Sequence, residues 1–351
     1  MATGNRIEVT VRGGGVFGLA CAFMLARRGA RLRLIEEDRI GAGASGGHVG
    51  ALSPHVPEQW NPKKQFQLES LLMAEGFWAD VAAVGGGDAG YARIGRLQPL
   101  AGDAEVARAG ARALGAAEHW GDHAVWRVAD RSAFGAFAPH SASGRVIHDT
   151  LSARASPRRA GAALLAALRA LGAEIVLSDG PEEGAVLHAT GVAGLAALSD
   201  AFARPMGNGV KGQSALMRHD AGAGAPQIYA EGLHIVPHAD GTVAIGSTSE
   251  RDYDAPDTTD AQLEALIARA RAVCAPLRDA EVIDRWAGLR PRAPSRAPML
   301  GAWPGRPGHF IANGGFKIGF GMAPKVAEVM ADLILEGQDD IPAGFRVEDN
   351  L

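Results

Sequence analysis

The sequence predicts a two-part chain of mixed class: an α/β part built on a parallel sheet, and an α+β part built on an antiparallel one. Three observations predict it. A strand–turn–helix–strand rhythm opens the chain, returns near its middle and closes it. Two segments, 56–147 and 211–286, break that rhythm with short strands and separate helices. Glycine-rich stretches at 13–18, 41–50 and 313–321 lie within the α/β pieces. The α/β part is therefore expected to be discontinuous, made of 1–55, 148–210 and 287–351, with 56–147 and 211–286 forming the other part.

The first piece is the most explicit. Ile7, Val9 and Val11 alternate with polar residues, as in a strand. Gly13-Gly14-Gly15-Val16-Phe17-Gly18 follows, then a helical stretch from Leu19 to Arg28 that stops at Gly29. Leu32-Arg33-Leu34-Ile35 reads as a second strand ending in Glu36. This is the Rossmann-like dinucleotide fingerprint in its proper setting. Gly13 permits the tight turn, Gly15 lets backbone approach a pyrophosphate, and Gly18 lets the helix pack on the strand. Val16 and Phe17 lie among these glycines, and the open N–H groups at the helix start face phosphates. Glu36 is placed to accept hydrogen bonds from a ribose diol. Its charge would repel a 2′-phosphate, so NADP is disfavoured; NAD and FAD both remain open.

The second glycine-rich loop, Gly41 to Pro54, reads as backbone lying close to something else, against the plainer reading of a long flexible loop. A helix is expected from Pro62 to Val84, ended by Gly85-Gly86-Gly87. Short strands near Tyr91–Leu100 and Ala124–Val128 flank a helical stretch around Ala104–Leu114. Ser156 caps the next helix with Pro157 at its first position, and Leu164, Leu165, Leu168 and Leu171 form its apolar face. Strands follow at Glu174–Leu177 and at 185–189. Leu233–Pro237 and Thr242–Ile245 read as a hairpin around Asp240-Gly241. Thr259 and Gln262 have capping-box spacing for a helix that Pro276 ends. After a proline- and glycine-rich loop come a strand at His309–Ala312, the third glycine-rich stretch, and a last helix that Pro324 opens and Gly337 closes.

Bulk properties narrow the function. The 351 residues carry 35 basic and 39 acidic side chains, a net charge of −4, and no long basic run, so no nucleic-acid partner is expected. No apolar run is long enough to span a membrane, and the start leaves no room for a signal peptide before the first strand. Cys21 and Cys274 fall inside helical patterns and read as buried thiols. The expectation is a soluble cytoplasmic protein. The histidines lack metal-ligand spacing, so no metal site is expected.

Five ordered motifs then carry a resemblance: VRGGGVFG with Glu36, GAGASGGHVGALSP, HATG at 188–191, WAGLRPRAP at 286–294 and NGGFKIGFGMAP at 313–324. Over nearly its whole length the chain resembles FAD-dependent amino-acid oxidoreductases of the D-amino-acid oxidase and glycine oxidase family. The resemblance implies a discontinuous Rossmann-like FAD-binding domain and an antiparallel-sheet substrate domain. It implies that Glu36 holds the adenosine ribose, and that Ala44, Ser45 and Gly46 sit by the pyrophosphate. His48, Gly50, Ala51 and Leu52 would lie near the flavin, Val176 would touch the adenine through its backbone, and Gly191 would join the cofactor site. Gly315, Phe316, Lys317, Ile318 and Gly319 would follow the flavin's pyrimidine edge.

The implied reaction oxidises the amine of a small amino acid or N-substituted amino acid to an imine, which hydrolyses to an oxo acid. Oxygen or a carrier would take the electrons. Arg290 matches the arginine that grips the substrate carboxylate, with Arg292 and Arg296 as neighbouring rivals. Lys317 is the candidate cation beside the flavin, against a solvated loop lysine. His234, where glycine oxidase has an active-site Tyr, would contact substrate or titrate near neutrality, against a hydrogen-bonded structural role. The spacing of His48 is compatible with covalent flavin attachment, although non-covalent FAD is the expectation. An NAD-dependent dehydrogenase and a flavin domain acting on a modified tRNA or other macromolecular amine are the alternatives. Departures from the pattern are Arg12 before the glycines, His234, and a link of about eight residues, Ser178–Ala185, where a longer β-excursion is usual.

Overall fold

In the computed structural model, which describes residues 7–351, three separate pieces of chain converge on one six-stranded sheet. The first six residues, where the reading of the chain's start rests, lie outside those described. The strand order is Met299–Ala302, His309–Asn313, Ala185–His188, Glu8–Arg12, Arg31–Ile35 and Glu174–Val176. All neighbours run parallel except the first two, which form a hairpin. The discontinuous α/β arrangement expected from the rhythm is thus present, with strands from each of the three pieces side by side.

Alternation decides what covers this sheet. Val9, Val11, Leu32 and Leu34 are buried under the helices Val16–Arg27, Pro157–Ala170 and Gly319–Glu336. Thr10, Arg12 and Arg33 point to the opposite face. Parallel sheets are usually apolar on both faces. Here the second face is polar at Thr10, Arg12 and Arg33, where the short link 177–184 crosses it, and apolar farther along, where Met299 and Ile311 pack against Leu195 and Leu198. Thr10 Oγ1 donates to the Glu183 carbonyl at 2.9 Å and accepts from its N–H at 2.8 Å. Arg33 donates to the Pro181 carbonyl at 3.0 Å. Arg12 pairs with Asp179 at 2.7 Å, Glu37 at 2.9 Å and Glu182 at 3.3 Å. Arg12, for which the sequence offered no reason, ties the shortened link to the acidic end of the second strand.

The helix Pro62–Gly85, assigned to the other part by sequence, buries Phe66, Leu71, Phe77, Trp78 and Val81 in the same core as the sheet helices. Its ring of Phe77 meets Phe23 edge-on at 5.6 Å. Glycine is required at Gly85 and Gly87, where a Cβ would run into the backbone of Ala167 and Ala163.

The second sheet has eight strands: Val282–Arg292, Asn208–Arg218, Thr242–Gly246, Leu233–Pro237, Gln227–Ala230, Arg96–Pro99, Arg145–Asp149 and Trp126–Asp130. Every pairing is antiparallel but that of Gln227–Ala230 with Arg96–Pro99. The expected boundaries at 147/148, 210/211 and 286/287 fall inside paired strands.

Local expectations need four corrections. The last helix begins at Gly319, and Pro324 lies inside it. Gly321 packs against the Leu52 backbone there, a tertiary contact that outweighs glycine's poor helix propensity. Asp260, not Thr259, caps Ala261–Val273, its carboxylate accepting from the Gln262 N–H at 2.9 Å. Ser156 stands at the N-cap of Pro157–Ala170 without a side-chain capping bond. Leu171 is exposed, so the buried face of that helix is Ala160, Ala163, Leu164, Ala167 and Leu168.

Candidate active site

A cavity of about 590 Å³ joins the two sheets. Its wall includes Arg12, Ile35 and Glu36 from the nucleotide sheet and Ser214, Trp286 and Arg290 from the larger one. The nucleotide end is prepared for an adenine dinucleotide. Gly13 has φ +108°, and a Cβ on Gly18 would collide with the Gly13 carbonyl, so helix and strand sit in close contact. Gly15 differs: an added Cβ would meet only Ser45 Oγ, at 3.4 Å, leaving its open side to the cavity. The helix after it starts without a side-chain cap. Of its first N–H groups Val16 donates to Ser45 Oγ at 2.9 Å, which fixes the second glycine-rich loop against the first. Glu36 is anchored by two backbone donors, Gly14 N–H at 2.6 Å and Asp38 N–H at 3.0 Å. An open backbone cradle, a helix N-terminus and an oriented carboxylate fit a pyrophosphate and a ribose.

The other end has a floor of small residues. In register across the large sheet stand Trp286, Ser214, Gly246 and His234. Gly288 and Gly212 form the next row. The Trp286 ring lies over Gly288 and Gly47, and the Arg290 guanidinium lies over Gly212, where any Cβ would overlap it. The loop continues above this floor, with Val49 over Gly246 and His48 hydrogen-bonded to Ser214.

Arg290 is the chemically exceptional group. Its Nη1 donates to the Thr248 carbonyl at 3.3 Å. Burial lowers its pKa to about 10, opposed by the field of Glu250, so it stays charged at neutrality. Burial, reinforced by Arg290, also lowers the pKa of Lys317 on the same cavity wall. A half-buried guanidinium on the cavity wall, held by one carbonyl, is suited to an anion. The rivals do not reach the cavity wall: Arg292 lies by the Phe316 ring at 5.9 Å, and Arg296 sits in the loop beyond.

Of the expected residues, Gly13, Gly15, Val16, Phe17, Glu36, Ala44, Ser45, His48, Ala51, Gly191, Gly315, Phe316, Lys317, Gly319 and Arg290 line the cavity. Gly18, Gly50, Leu52, Val176 and Ile318 do not; they shape it from behind. Gly50, for instance, abuts the Ala155 carbonyl, and the Val176 carbonyl accepts from the Glu36 N–H at 2.9 Å. Gly46 lines an adjoining cavity behind the loop. His234 stands at the end of the floor row, outside the cavity lining, and it does not titrate near neutrality. Burial, with Arg96, Lys317 and Arg290 around it, pushes its pKa down to about 3. Sequence reasoning missed Ser214, Asp284 and Arg158. Both ring nitrogens of His48 are taken, Nδ1 by Ser214 at 3.1 Å and Nε2 by Asp284 at 3.0 Å, which leaves neither free for a bond to flavin. Among the described residues no cluster of His, Cys, Asp or Glu is arranged to hold a metal, and no helix is long and apolar enough to cross a membrane.

Comparison with known proteins decides the family. The description "FAD dependent oxidoreductase" matches residues 8–333. The chain belongs to this family. FAD, held non-covalently, is thus the cofactor of this oxidoreductase, and the NAD reading that Glu36 alone left open is set aside. The FAD-dependent oxidoreductase is similar to the glycine oxidase of Geobacillus kaustophilus, 27% identical over 94% of this chain and 93% of that protein. It is 33% identical to the glycine oxidase of Pseudomonas putida over 51% of this chain, a match spanning 46% of that relative. The crystal structure of the Geobacillus kaustophilus enzyme superposes with a TM-score of 0.83 at 23% identity, covering 97% of this chain and 98% of the other. Iminodiacetate oxidase from Chelativorans gives 0.80 at 21% identity, over 96% and 98%. Identities this low speak for the shared fold.

Proposed function

We propose that this FAD-dependent oxidoreductase oxidises the amine of a small amino acid or N-substituted amino acid to an imine, which water hydrolyses to an oxo acid and the free amine. The observation that carries the reading is Arg290, half-buried on the cavity wall with one carbonyl partner and charged at neutrality. A carboxylate matches Arg290 in charge and geometry, because a guanidinium can grip it with two parallel bonds. The names of the relatives, glycine oxidase and iminodiacetate oxidase, agree with an amine next to a carboxylate. FAD, when bound, would supply the acceptor for the hydride of the substrate carbon. The chain's residues do the rest. Arg290 fixes the carboxylate, and so the direction of the reacting C–H bond. Lys317 and the N-terminus of Gly319–Glu336 share one wall, and both favour negative charge there. Trp286, Leu289 and Phe316 exclude water.

The electrons pass on to oxygen or to a carrier; the rate of reoxidation in air separates the two. A cytoplasmic setting accords with two free, buried thiols. The test is Arg290→Ala in the FAD-loaded enzyme. Flavin reduction by an amino acid should weaken at least about a hundredfold in kcat/KM, as expected for loss of a charged clamp. Reduction as ready as in the parent would remove the clamp from the account.

A further inference from the structure

Ser214, His48 and Asp284 form a hydrogen-bonded line that none of the roles above uses. Ser214 Oγ lies 3.1 Å from His48 Nδ1, and His48 Nε2 lies 3.0 Å from Asp284 Oδ2. Ser214 and His48 are buried and line the cavity, whereas the Asp284 side chain is 41% exposed. The line therefore runs unbroken from the cavity wall to solvent. Its polarity follows from the charges around it. Partial burial works against ionised Asp284, but hydrogen bonds from His48 and Arg158 outweigh it and keep the carboxyl below its ordinary range. Burial also lowers the His48 pKa, with Arg158 adding and Asp284 opposing. The neutral ring then donates Nε2–H to Asp284, and its bare Nδ1 accepts the Ser214 hydroxyl proton. Two other charged or titratable groups face the line: Arg158, 2.7 Å from Asp284, and His238, whose Nε2 lies 3.1 Å from the His48 carbonyl.

We propose that Ser214–His48–Asp284 is a proton relay that carries the ammonium proton of the bound substrate out to solvent. The inference rests on the amine-oxidising function proposed above. An amino acid arrives mainly as its ammonium form, and the nitrogen needs a free lone pair before the neighbouring carbon can lose hydride. Ser214 stands two residues along the strand from Gly212, which carries the Arg290 guanidinium over it. A substrate gripped by Arg290 thus has its amine within the same stretch of floor. In the step, an N–H proton passes to Ser214 Oγ while the Ser214 hydroxyl proton passes to His48 Nδ1. The imidazolium releases its Nε2 proton through Asp284 to water. One proton leaves and no electron moves; His48 is left as its Nδ1–H tautomer, and it is reset when water returns a proton to Nε2 through Asp284 and the Nδ1 proton passes back through Ser214 to the amine product in the cavity.

The test uses the FAD-loaded enzyme, anaerobic stopped-flow reduction, and glycine and sarcosine as probes across neutral to alkaline pH. His48→Gln, Ser214→Ala and Asp284→Asn should each slow reduction near neutrality by about a hundredfold, the size of general-base effects. The gap should close near pH 10, where the amine sheds its proton in bulk water. A pH-indicator dye should register one proton released with reduction in the parent enzyme. Variants whose profiles run parallel to the parent at every pH would overturn the relay while leaving the amine-oxidising reading intact. Should His48→Gln fail to hold FAD, Asp284→Asn, at a half-exposed side chain, applies the same criterion. A parent flavin that neither probe reduces at any pH would overturn the amine-oxidising reading for them and the relay with it.

Discussion

Replacing Gly15 with Ala separates cofactor binding from folding. In the cofactor-free protein a Cβ at Gly15 meets a single atom, Ser45 Oγ, at 3.4 Å, an ordinary contact. Its φ is −81°, which any residue adopts. The variant should therefore fold as stably as the parent. The added methyl nevertheless occupies the open side, where the pyrophosphate would approach the N–H groups of Val16 and Phe17. Losing one or two charge-assisted hydrogen bonds, each about 1.5–3 kcal/mol, should weaken FAD binding by roughly ten- to a thousandfold or more. The neighbouring position gives the contrast. A Cβ at Gly18 would collide with the Gly13 carbonyl, so Gly18→Ala should cost about 1–3 kcal/mol of stability before any cofactor is added. Fluorescence titration of apoprotein with FAD, beside urea unfolding of the same samples, measures both quantities. Parent-like FAD affinity in Gly15→Ala, or equal destabilisation by the two substitutions, would refute the assignment of the cradle.

The Arg290→Lys enzyme should recover only part of the activity lost in Arg290→Ala, since a point charge cannot reproduce a two-bond grip; steady-state kinetics with saturating amino acid measures it. His234 binds its proton at a pKa near 3 in the fold but near 6.5 in the unfolded chain. Below about 6.5 the unfolded state holds the extra proton, so stability should fall with pH down to about 3. His234→Phe should flatten that slope in urea titrations. Arg12→Ala should speed amide hydrogen exchange in 177–184, because the link loses its tie to the sheet; high salt should do the same to the parent.

The nucleotide half was legible because its signals are local: alternation in Val9 and Val11, a glycine turn, and an acid at a strand end all lie within about thirty residues. The hairpin of Leu233–Pro237 with Thr242–Gly246 was legible for the same reason. What escaped depends on distant packing. Pro62–Gly85 reads as an ordinary amphipathic helix, and nothing in it announces that its partners are Phe23 and the closing helix. Arg290 was found through its rigid GLRP setting, whereas Ser214 and Asp284 stand 166 and 236 residues from His48 and carry no motif. Arg12 is explained by Asp179 and Glu182, which the fold brings over its own face of the sheet.

The central claim is that FAD and an amino acid meet between Glu36 and Arg290. The most direct measurement is the absorbance spectrum of the purified protein during anaerobic addition of glycine, sarcosine and a panel of other small amino and N-methyl amino acids. The account predicts flavin bands that bleach with at least one of them, at a rate that Arg290→Ala depresses. Flavin bands that persist through the whole panel would contradict it.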